Sequence, residues 1–313
     1  MSLSEPRLKL SVALVCYDMA AQIENTLRSL VPPYQRGIVI EDYEIVLVDN
    51  GSAQTLPKRL QTFSPNLRYI HIPPNEARPS PAAAINRAAA MGRAPWLCLM
   101  IDGARMVTPG VLYWALRLLV LTPRSIVEVR GWHLGPKFQP ARVAEGYTHE
   151  IEAQLLAQAR WWENGYRLFD VSAASAQTTR GLSRPASESN CLFMSRDLFY
   201  EIGGFDERYE EAGGGFVNLD FYARAVAAAD QAWTLLGEGT FHQVHHGAAT
   251  SLSPEELQQA STRWAAERSR LCGPPPAIDP AKFIVAGHIP EQLQAWLTRF
   301  SSADILTVRA VNE

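Results

Sequence analysis

The sequence predicts an α/β protein built on a mostly parallel β-sheet with flanking helices. Short apolar, β-branched runs alternate with amphipathic helical stretches through the first third of the 313 residues, as in repeated βαβ units. Two of these runs end directly in an acid, Asp49 and Asp102. Right-handed crossovers bring the carboxyl ends of such strands to one edge, where open α/β sheets bind ligands. We therefore expect the functional site at that edge.

The predicted strands follow one another closely. They are Leu10–Cys16, Glu44–Val48, Leu67–Ile72, Trp96–Ile101 and Ser125–Val129. A helix follows the first strand, with Asp18 as its expected N-cap and a Pro-Pro pair beyond its end. An alanine-rich helix at Ala82–Met91, ended by Gly92, precedes the fourth strand.

The remainder of the chain differs in character. Residues 1–250 are predicted to form the sheet domain, with 131–187 as an insertion rich in Trp, Tyr, Gln, Ser and Ala. Residues 251–313 are predicted to be a helical extension, with its main helix at Glu255–Leu271.

Composition excludes several functional classes. Hydrophobic residues make up 47%, charged residues 19%, and the net charge is -3, as in ordinary soluble enzymes rather than nucleic-acid-binding proteins. No apolar run is long enough to span a bilayer, and the N-terminus lacks a signal-peptide segment. Four widely spaced cysteines are expected to be reduced and mostly buried. We expect a cytoplasmic protein without a nucleic-acid partner, for which peripheral membrane association through a partner stays open.

Two strand ends carry the first candidate site residues. Asp49, followed by Asn50 and Gly51, projects where it can accept hydrogen bonds from a base or from ribose hydroxyls. The alternative is a helix cap and a turn. Asp102, beside Gly103, is placed to reach a divalent metal bound to a diphosphate, or else is an ordinary loop acid.

Two later segments carry further candidates. Glycine pairs allow backbone to lie close to a sugar, and the nearby acids Asp220 and Glu211 are candidate general bases. Three other acids at 206–210 compete with them, so spacing alone does not choose. A cluster of histidines that includes His242, His245 and His246 predicts metal ligation or phosphate binding, although a lone histidine is more often structural.

In their order and spacing, these features resemble the family 2 type of GT-A glycosyltransferases, over about residues 8 to 250. The segments that carry the resemblance are Cys16-Tyr17-Asp18, Leu27-Arg28-Ser29-Leu30, the Val48-Asp49-Asn50-Gly51-Ser52 strand end, Asn75-Glu76-Ala77-Arg78, Asn86, an Asp-x-Asp position at Asp102, Ile202-Gly203-Gly204-Phe205-Asp206-Glu207 and a terminal histidine.

The resemblance implies a GT-A fold and transfer of a sugar from a UDP- or GDP-linked donor to an acceptor hydroxyl, with Mg²⁺ or Mn²⁺ on the leaving diphosphate. It implies that Tyr17 and Asp49 contact the base and ribose, and Asn50, which follows Asp49, is a further nucleotide-binding candidate. It also implies that Arg78 lies near the nucleotide and Asp102 beside the phosphates. The 131–187 segment becomes an acceptor-side insertion, for a sugar or lipid-linked acceptor in polysaccharide or glycoconjugate synthesis.

Two departures from the family pattern bear on catalysis. Ala104 stands where the second acid of Asp-x-Asp belongs, so Asp102 would share a metal with His242 or His245. The usual Glu-Asp pair aligns with Val217-Asn218, which leaves Asp220 as the nearest acid and the stereochemical outcome open.

The alternative hypothesis is a nucleotide-sugar-binding protein that has lost turnover. A nucleotidyltransferase or dinucleotide-binding oxidoreductase is less well supported, because no G-x-G-x-x-G turn follows the first strand.

Overall fold

A computed structural model describes residues 8–137, 146–182, 184–245, 247 and 252–297. His246 and parts of the predicted segments 131–187 and 251–313 lie outside them.

The structure confirms an α/β protein with a mixed, mostly parallel sheet. The strands are β1 (Leu10–Cys16), β2 (Tyr43–Asn50), β3 (Leu67–Ile72), β4 (Trp96–Met100), β5 (Arg105–Val107), β6 (Ser125–Leu134), β7 (Ser172–Ala174), β8 (Leu192–Ser195), β9 (Gln231–His242) and β10 (Phe283–Gly287). The helices are α1 (Ala20–Leu30), α2 (Lys58–Gln61), α3 (Ala82–Met91), α4 (Val111–Leu121), α5 (His149–Ala159), α6 (Arg196–Glu201), α7 (Val217–Ala228), α8 (Pro254–Leu271) and α9 (Glu291–Leu297). Short 3₁₀ helices lie at Ile40–Asp42, Gly165–Phe169, Thr178–Arg180, Ala212–Gly214 and Pro280–Lys282.

The strands run in the order β10-β9-β6-β8-β4-β1-β2-β3, with β5 paired to β9 and β7 to β6. β1 is parallel to β2 and β4, and β2 is parallel to β3. β8 is antiparallel to both β4 and β6. The amino end of β8 therefore lies at the same sheet edge as the carboxyl ends of β1, β2 and β4.

Both faces of the sheet are buried, which explains why the strands read as continuous apolar runs. In β1, Val12 and Leu14 face a core that includes α1 and α4. The alternate residues Ala13 and Val15 face a second core that includes α3 and α7. This period-2 alternation is the ordinary geometry of a strand. A third core lies between Trp132, the middle segment and α9.

Element boundaries differ from the sequence predictions in ways that affect the site. β2 continues through Asp49 and Asn50, so these residues lie within the paired strand and not beyond it. Asp18 does not cap α1: the N-cap is Met19, without a side-chain hydrogen bond, and Asp18 has a left-handed φ of 49°. Helix α3 has the predicted bounds, and α8 begins one residue before the predicted start.

β9 is irregular where it passes β6. Val129 pairs with Leu235 but Arg130 pairs with Gly239, so β9 contains extra residues at this point. Gly237 lies in the irregular stretch with a φ of +85°, a conformation that glycine adopts without strain. Beyond it, β9 pairs with both β6 and β5. The irregularity thus directs the end of β9 to the sheet edge where β1, β2 and β4 end.

The segment after residue 251 contributes more than the predicted helix. β10 adds a parallel strand beside β9, which the sequence analysis did not predict. The division into domains stays a prediction.

Within the described residues, no helix is both long and apolar enough to cross a membrane; the cytoplasmic location stays a prediction. All four cysteines are free, and Cys16, Cys98 and Cys191 are buried, as expected.

Candidate active site

A cavity of about 890 Å³ opens at the carboxyl ends of β1, β2 and β4. Its walls include six of the predicted site residues: Tyr17, Asn50, Arg78, Asp102, His242 and His245. Residues of the predicted insertion, from Ser175 to Thr178, also line it. The cavity therefore joins the nucleotide side of the sheet to the segment predicted to bind the acceptor.

Aromatic and amide groups form the wall at β1 and β2. Tyr17 follows β1 directly and is 57% exposed. Asn50 holds the loop after β3 through a hydrogen bond from Nδ2 to the Arg78 carbonyl, 2.9 Å. Gly51 adopts a φ of +92°, and a Cβ there would meet the Ala77 side chain at 2.4 Å. Only glycine fits this close approach.

Asp49 is buried below this wall and does not line the cavity. Its Oδ1 accepts hydrogen bonds from the Ser52 amide (3.1 Å) and hydroxyl (2.5 Å), and its Oδ2 accepts one from the Tyr69 hydroxyl at 2.8 Å. The Ser52 hydroxyl also accepts a bond from the Asp18 amide. Asp49 thus holds the strand end and its turn together. Its predicted contact with ribose stays a prediction, since that contact would compete with these bonds.

Asp102 and two histidines converge on a single point. The His242 Nε2 lies 3.0 Å from Asp102 Oδ2, and the His245 Nε2 lies 3.8 Å from Asp102 Oδ1. The two Nε2 atoms are 3.0 Å apart. Arg105 donates from Nε to Asp102 Oδ2 at 3.0 Å. The backbone amide of Ala104 donates to Oδ1, so this position orients Asp102 although it lacks a carboxylate.

Strand pairing explains why residues 140 positions apart in sequence meet here. β5 begins three residues after Asp102 and pairs antiparallel with β9, with Arg105 opposite His242. A Cβ on Gly103 would meet the Val15 carbonyl oxygen at 2.6 Å, so glycine permits the turn between β4 and β5 to lie against β1. His133 on β6 pairs with His242 and packs edge-on to its ring.

The electrostatics favour a charged carboxylate beside a neutral imidazole. Burial and the charge of Arg105 lower the pKa of His242 to about 4. Burial opposes ionisation of Asp102, but His242 and Arg105 outweigh it and hold the pKa of this carboxyl well below its usual range. At neutral pH the cluster offers one carboxylate and an unprotonated His242, the forms that metals bind.

This donor set fits a divalent cation. One ligand atom from each of Asp102, His242 and His245 lies within 4.8 Å of the others. Two ligands at right angles around an ion with bonds of about 2.1 Å lie about 3 Å apart, which is the separation of the two Nε2 atoms. Two imidazoles and one carboxylate form the donor set of Fe²⁺ sites with open positions, and the carboxylate also suits Mn²⁺.

Neither predicted general base lines the cavity. Asp220 on α7 is buried, pairs with Arg224 (Nε to Oδ2, 2.8 Å) and lies near the Cys272 thiol. Glu211 lies 3.7 Å from Arg263 of α8. Both carboxylates have basic partners outside the cavity. Their catalytic roles stay predictions.

The structure adds cavity residues that the sequence analysis missed. Arg105, Arg130 and Trp264 line the wall. The signal for Arg105 was its position three residues after Asp102. Arg130 and Trp264 had no local signal, since they reach the cavity through the pairing of β6 and the packing of α8. The sequence Glu188-Ser189-Asn190, just ahead of an apolar strand, is a further candidate acceptor-side cluster, and both Glu188 and Asn190 line the cavity.

Comparison with solved structures identifies the fold. The chain resembles S. aureus TarS in complex with UDP-GlcNAc, with a TM-score of 0.54, 16% identity and coverage of 84% of this chain and 67% of that one. It resembles the mannosyltransferase PcManGT of Pyrobaculum calidifontis in complex with GDP-Man and Mn²⁺, with a TM-score of 0.52, 16% identity and coverage of 94% and 70%. The fold is the GT-A fold of glycosyltransferases.

Sequence comparison also finds glycosyltransferases. Residues 11–103 match the model of Glycosyl transferase family 2. The validoxylamine A glucosyltransferase of Streptomyces hygroscopicus subsp. jinggangensis is 22% identical over 278 residues, 78% of this chain and 58% of that one. The N-acetylglucosaminyl-diphospho-decaprenol L-rhamnosyltransferase of Mycobacterium tuberculosis is 26% identical over 219 residues, 64% of this chain and 66% of that one. The chain is thus similar to family 2 glycosyltransferases over residues 11–103, and it spans a little over half the length of the Streptomyces relatives that it matches.

Proposed function

We propose that this chain transfers a sugar from a nucleoside diphosphate sugar to an acceptor hydroxyl, in the synthesis of a polysaccharide or glycoconjugate. One observation carries the proposal: a single cavity joins Tyr17 and Asn50 at the nucleotide side to the Asp102, His242 and His245 cluster. The complexes of TarS with UDP-GlcNAc and of the mannosyltransferase with GDP-Man support a UDP- or GDP-linked donor.

The cavity residues divide into groups with distinct roles. The exposed ring of Tyr17 offers a face for the base, and Asn50 holds the wall beside it. Arg78 and Arg105 supply positive charge for a diphosphate, which guanidinium groups bind well. Preorganised charge of this kind stabilises a leaving group as negative charge develops on it.

Asp102, His242 and His245 would hold Mg²⁺ or Mn²⁺. The ion would neutralise charge on the diphosphate oxygens. The two histidines then supply the ligands that a second acid at position 104 would otherwise contribute. Arg105 donates to Asp102 Oδ2, the oxygen that also faces His242 Nε2, and its charge keeps the carboxylate ionised.

For the acceptor, we propose the hydroxyl of a sugar, either free or carried on a lipid diphosphate. The mycobacterial relative is named for a decaprenol-linked acceptor, which supports the second form. Peripheral membrane association stays a prediction.

Calorimetric titration tests this function. UDP-glucose, UDP-GlcNAc and GDP-mannose are titrated with and without Mn²⁺, and at least one should bind in the micromolar to millimolar range typical of enzyme substrates. Asp102→Asn should remove the increase in donor affinity that Mn²⁺ produces. Asp230→Asn, which alters an acid whose side chain is 69% exposed, should keep it.

Failure of all three donors to bind would overturn the proposal. Donor binding without any hydrolysis or transfer would favour the alternative of a nucleotide-sugar-binding protein.

A further inference from the structure

Glu188 is an acid on the cavity wall that the family pattern does not account for. Two acids are present among the described residues that line the cavity, Asp102 and Glu188. Asp102 is one of the three candidate metal ligands, with His242 and His245, and it pairs with Arg105. A proton acceptor for an acceptor hydroxyl must reach the cavity, and Glu188 is the acid there without a metal-binding role.

The sheet places Glu188 near the reacting end of the cavity. β8 is antiparallel to β4, with Leu192 opposite Leu99. The residues just before β8 therefore lie beside the chain just after β4, which contains Asp102. β8 is also antiparallel to β6, with Leu192 opposite Glu128, so the same residues lie beside Arg130. Glu188 is thus held at the sheet edge between the candidate metal ligands and the insertion.

Hydrogen bonds fix the backbone around Glu188. The amides of Ser187 and Glu188 donate to Gln177 Oε1 at 3.0 and 3.3 Å. The Ser189 hydroxyl donates to the Cys191 carbonyl at 2.9 Å. The side chain of Gln177, in the insertion, therefore anchors the segment that carries the carboxylate.

Asn218 orients the carboxylate itself. Its Nδ2 donates to Glu188 Oε2 at 3.1 Å and lies 3.4 Å from Asn190 Oδ1. On the family resemblance given above, Asn218 aligns with the acid of the Glu-Asp pair. Here an amide donor at that position holds a carboxylate supplied by another segment. An acid at 218 would instead repel Glu188.

We propose that Glu188 is the general base of the transfer and that Asn218 is its positioning residue. The assignment rests on the proposed function and names the base for that reaction. The acceptor hydroxyl gives its proton to the Glu188 carboxylate as its oxygen bonds to the anomeric carbon. The bond from that carbon to the diphosphate oxygen breaks, and its electron pair leaves with the diphosphate.

Donor turnover in the full chain tests the base. With the UDP- or GDP-sugar that binds, hydrolysis is measured with Mn²⁺ in water and in sodium azide. Azide attacks without losing a proton and so needs no base. Glu188→Gln should lower hydrolysis by about 100-fold or more, keep the donor Kd within about two-fold, and form the glycosyl azide at least as fast as the parent protein. Glu163→Gln, which alters an exposed acid paired with Arg160, should change neither rate.

Asn218→Ala tests the positioning role. It should lower hydrolysis about ten-fold, the loss of one hydrogen bond to a charged group, without changing azide transfer. A merely structural role would lower both rates together.

The outcomes separate this proposal from the function on which it rests. Glu188 is not the base if Glu188→Gln hydrolyses the donor at a rate within three-fold of the parent rate. The same holds if hydrolysis and azide transfer fall equally. In both cases donor turnover by the parent protein still supports the proposed transferase. Absence of nucleotide-sugar binding in the parent would overturn the proposed function, and the base with it.

Discussion

Individual residues in this protein have their roles set by neighbours distant in sequence. Asp49 illustrates this: the sequence places it at a strand end, but Tyr69 and Ser52 occupy both of its oxygens. Asp220 similarly pairs with Arg224 one helical turn away. Tyr17, Asn50, Arg78 and Asp102 do reach the cavity as predicted. A strand-end position predicts proximity to a ligand, whereas hydrogen-bonding partners decide which side chains remain available to it.

Glu238 is a second buried acid with an altered proton affinity, outside the cavity. Burial raises its pKa to about 7. The Tyr166 hydroxyl donates to its Oε1 at 2.8 Å and the Gly110 amide to its Oε2 at 3.2 Å. The folded protein therefore keeps this proton to a higher pH than the unfolded chain does. Its contribution to stability is fully present below about pH 4.5 and is lost as pH rises towards 7.

Glu238→Gln should remove this pH dependence. The parent free energy of unfolding should fall between pH 5 and 8 by up to about 3 kcal/mol relative to the variant. Urea denaturation at one-unit pH intervals measures the difference. His288, which packs on Tyr166, titrates in both proteins and cancels in the comparison. Parallel pH profiles for the parent and the variant would contradict the assignment.

At the scale of elements, a buried charged cluster joins β6, α7 and β9 beneath the cavity. Glu128 accepts hydrogen bonds from the Tyr222 hydroxyl and, at 2.7 Å, from the Thr234 hydroxyl. It also pairs with Arg130 at 3.0 Å. Glu128 and Arg130 are 0% and 3% exposed. Three elements therefore depend on one carboxylate.

Glu128→Gln should destabilise the fold by about 3–5 kcal/mol, because it leaves the Arg130 charge buried without its partner. Glu201→Gln breaks an ion pair with Arg124, whose side chain is 45% exposed, and should cost less than about 1 kcal/mol. Denaturant unfolding compares the two variants. Equal losses of unfolding free energy in the two variants would show that burial of the Glu128–Arg130 pair does not increase its contribution to stability.

The elements that form the site differ in how far sequence could predict them. β1 to β4 and α3 have strong apolar periodicity and were predicted closely. β5 has three residues, and its pairing with β9 depends on the irregularity near Gly237. No local pattern specifies such a long-range register. The meeting of Asp102 with His242 therefore followed from the family resemblance and not from periodicity.

At the scale of the whole molecule, the segment after residue 251 completes both the sheet and the cavity. Trp264 of α8 lines the cavity and packs against Phe216. β10 covers the outer edge of β9. Leu293 is buried in the third core, and Trp296 packs edge-on to Trp132 with ring centroids 4.9 Å apart.

Two truncations should separate these contributions. Ending the chain after Gly273 keeps α8 and removes β10 and α9. Leu293 and Trp296 then leave the third core. Because loss of one large buried side chain costs about 2–5 kcal/mol, the free energy of unfolding should fall by at least that amount. The exposed edge of β9 should also promote aggregation.

Ending it after residue 251 should additionally weaken donor binding, because Trp264 is lost from the wall. Urea denaturation, light scattering and donor titration measure the three effects. A protein ending at 251 that matched the full chain in stability and donor affinity would show that the sheet domain is independent of its extension. Because one edge of β9 pairs with β10 and its end carries His242, we expect stability and metal affinity to decline together.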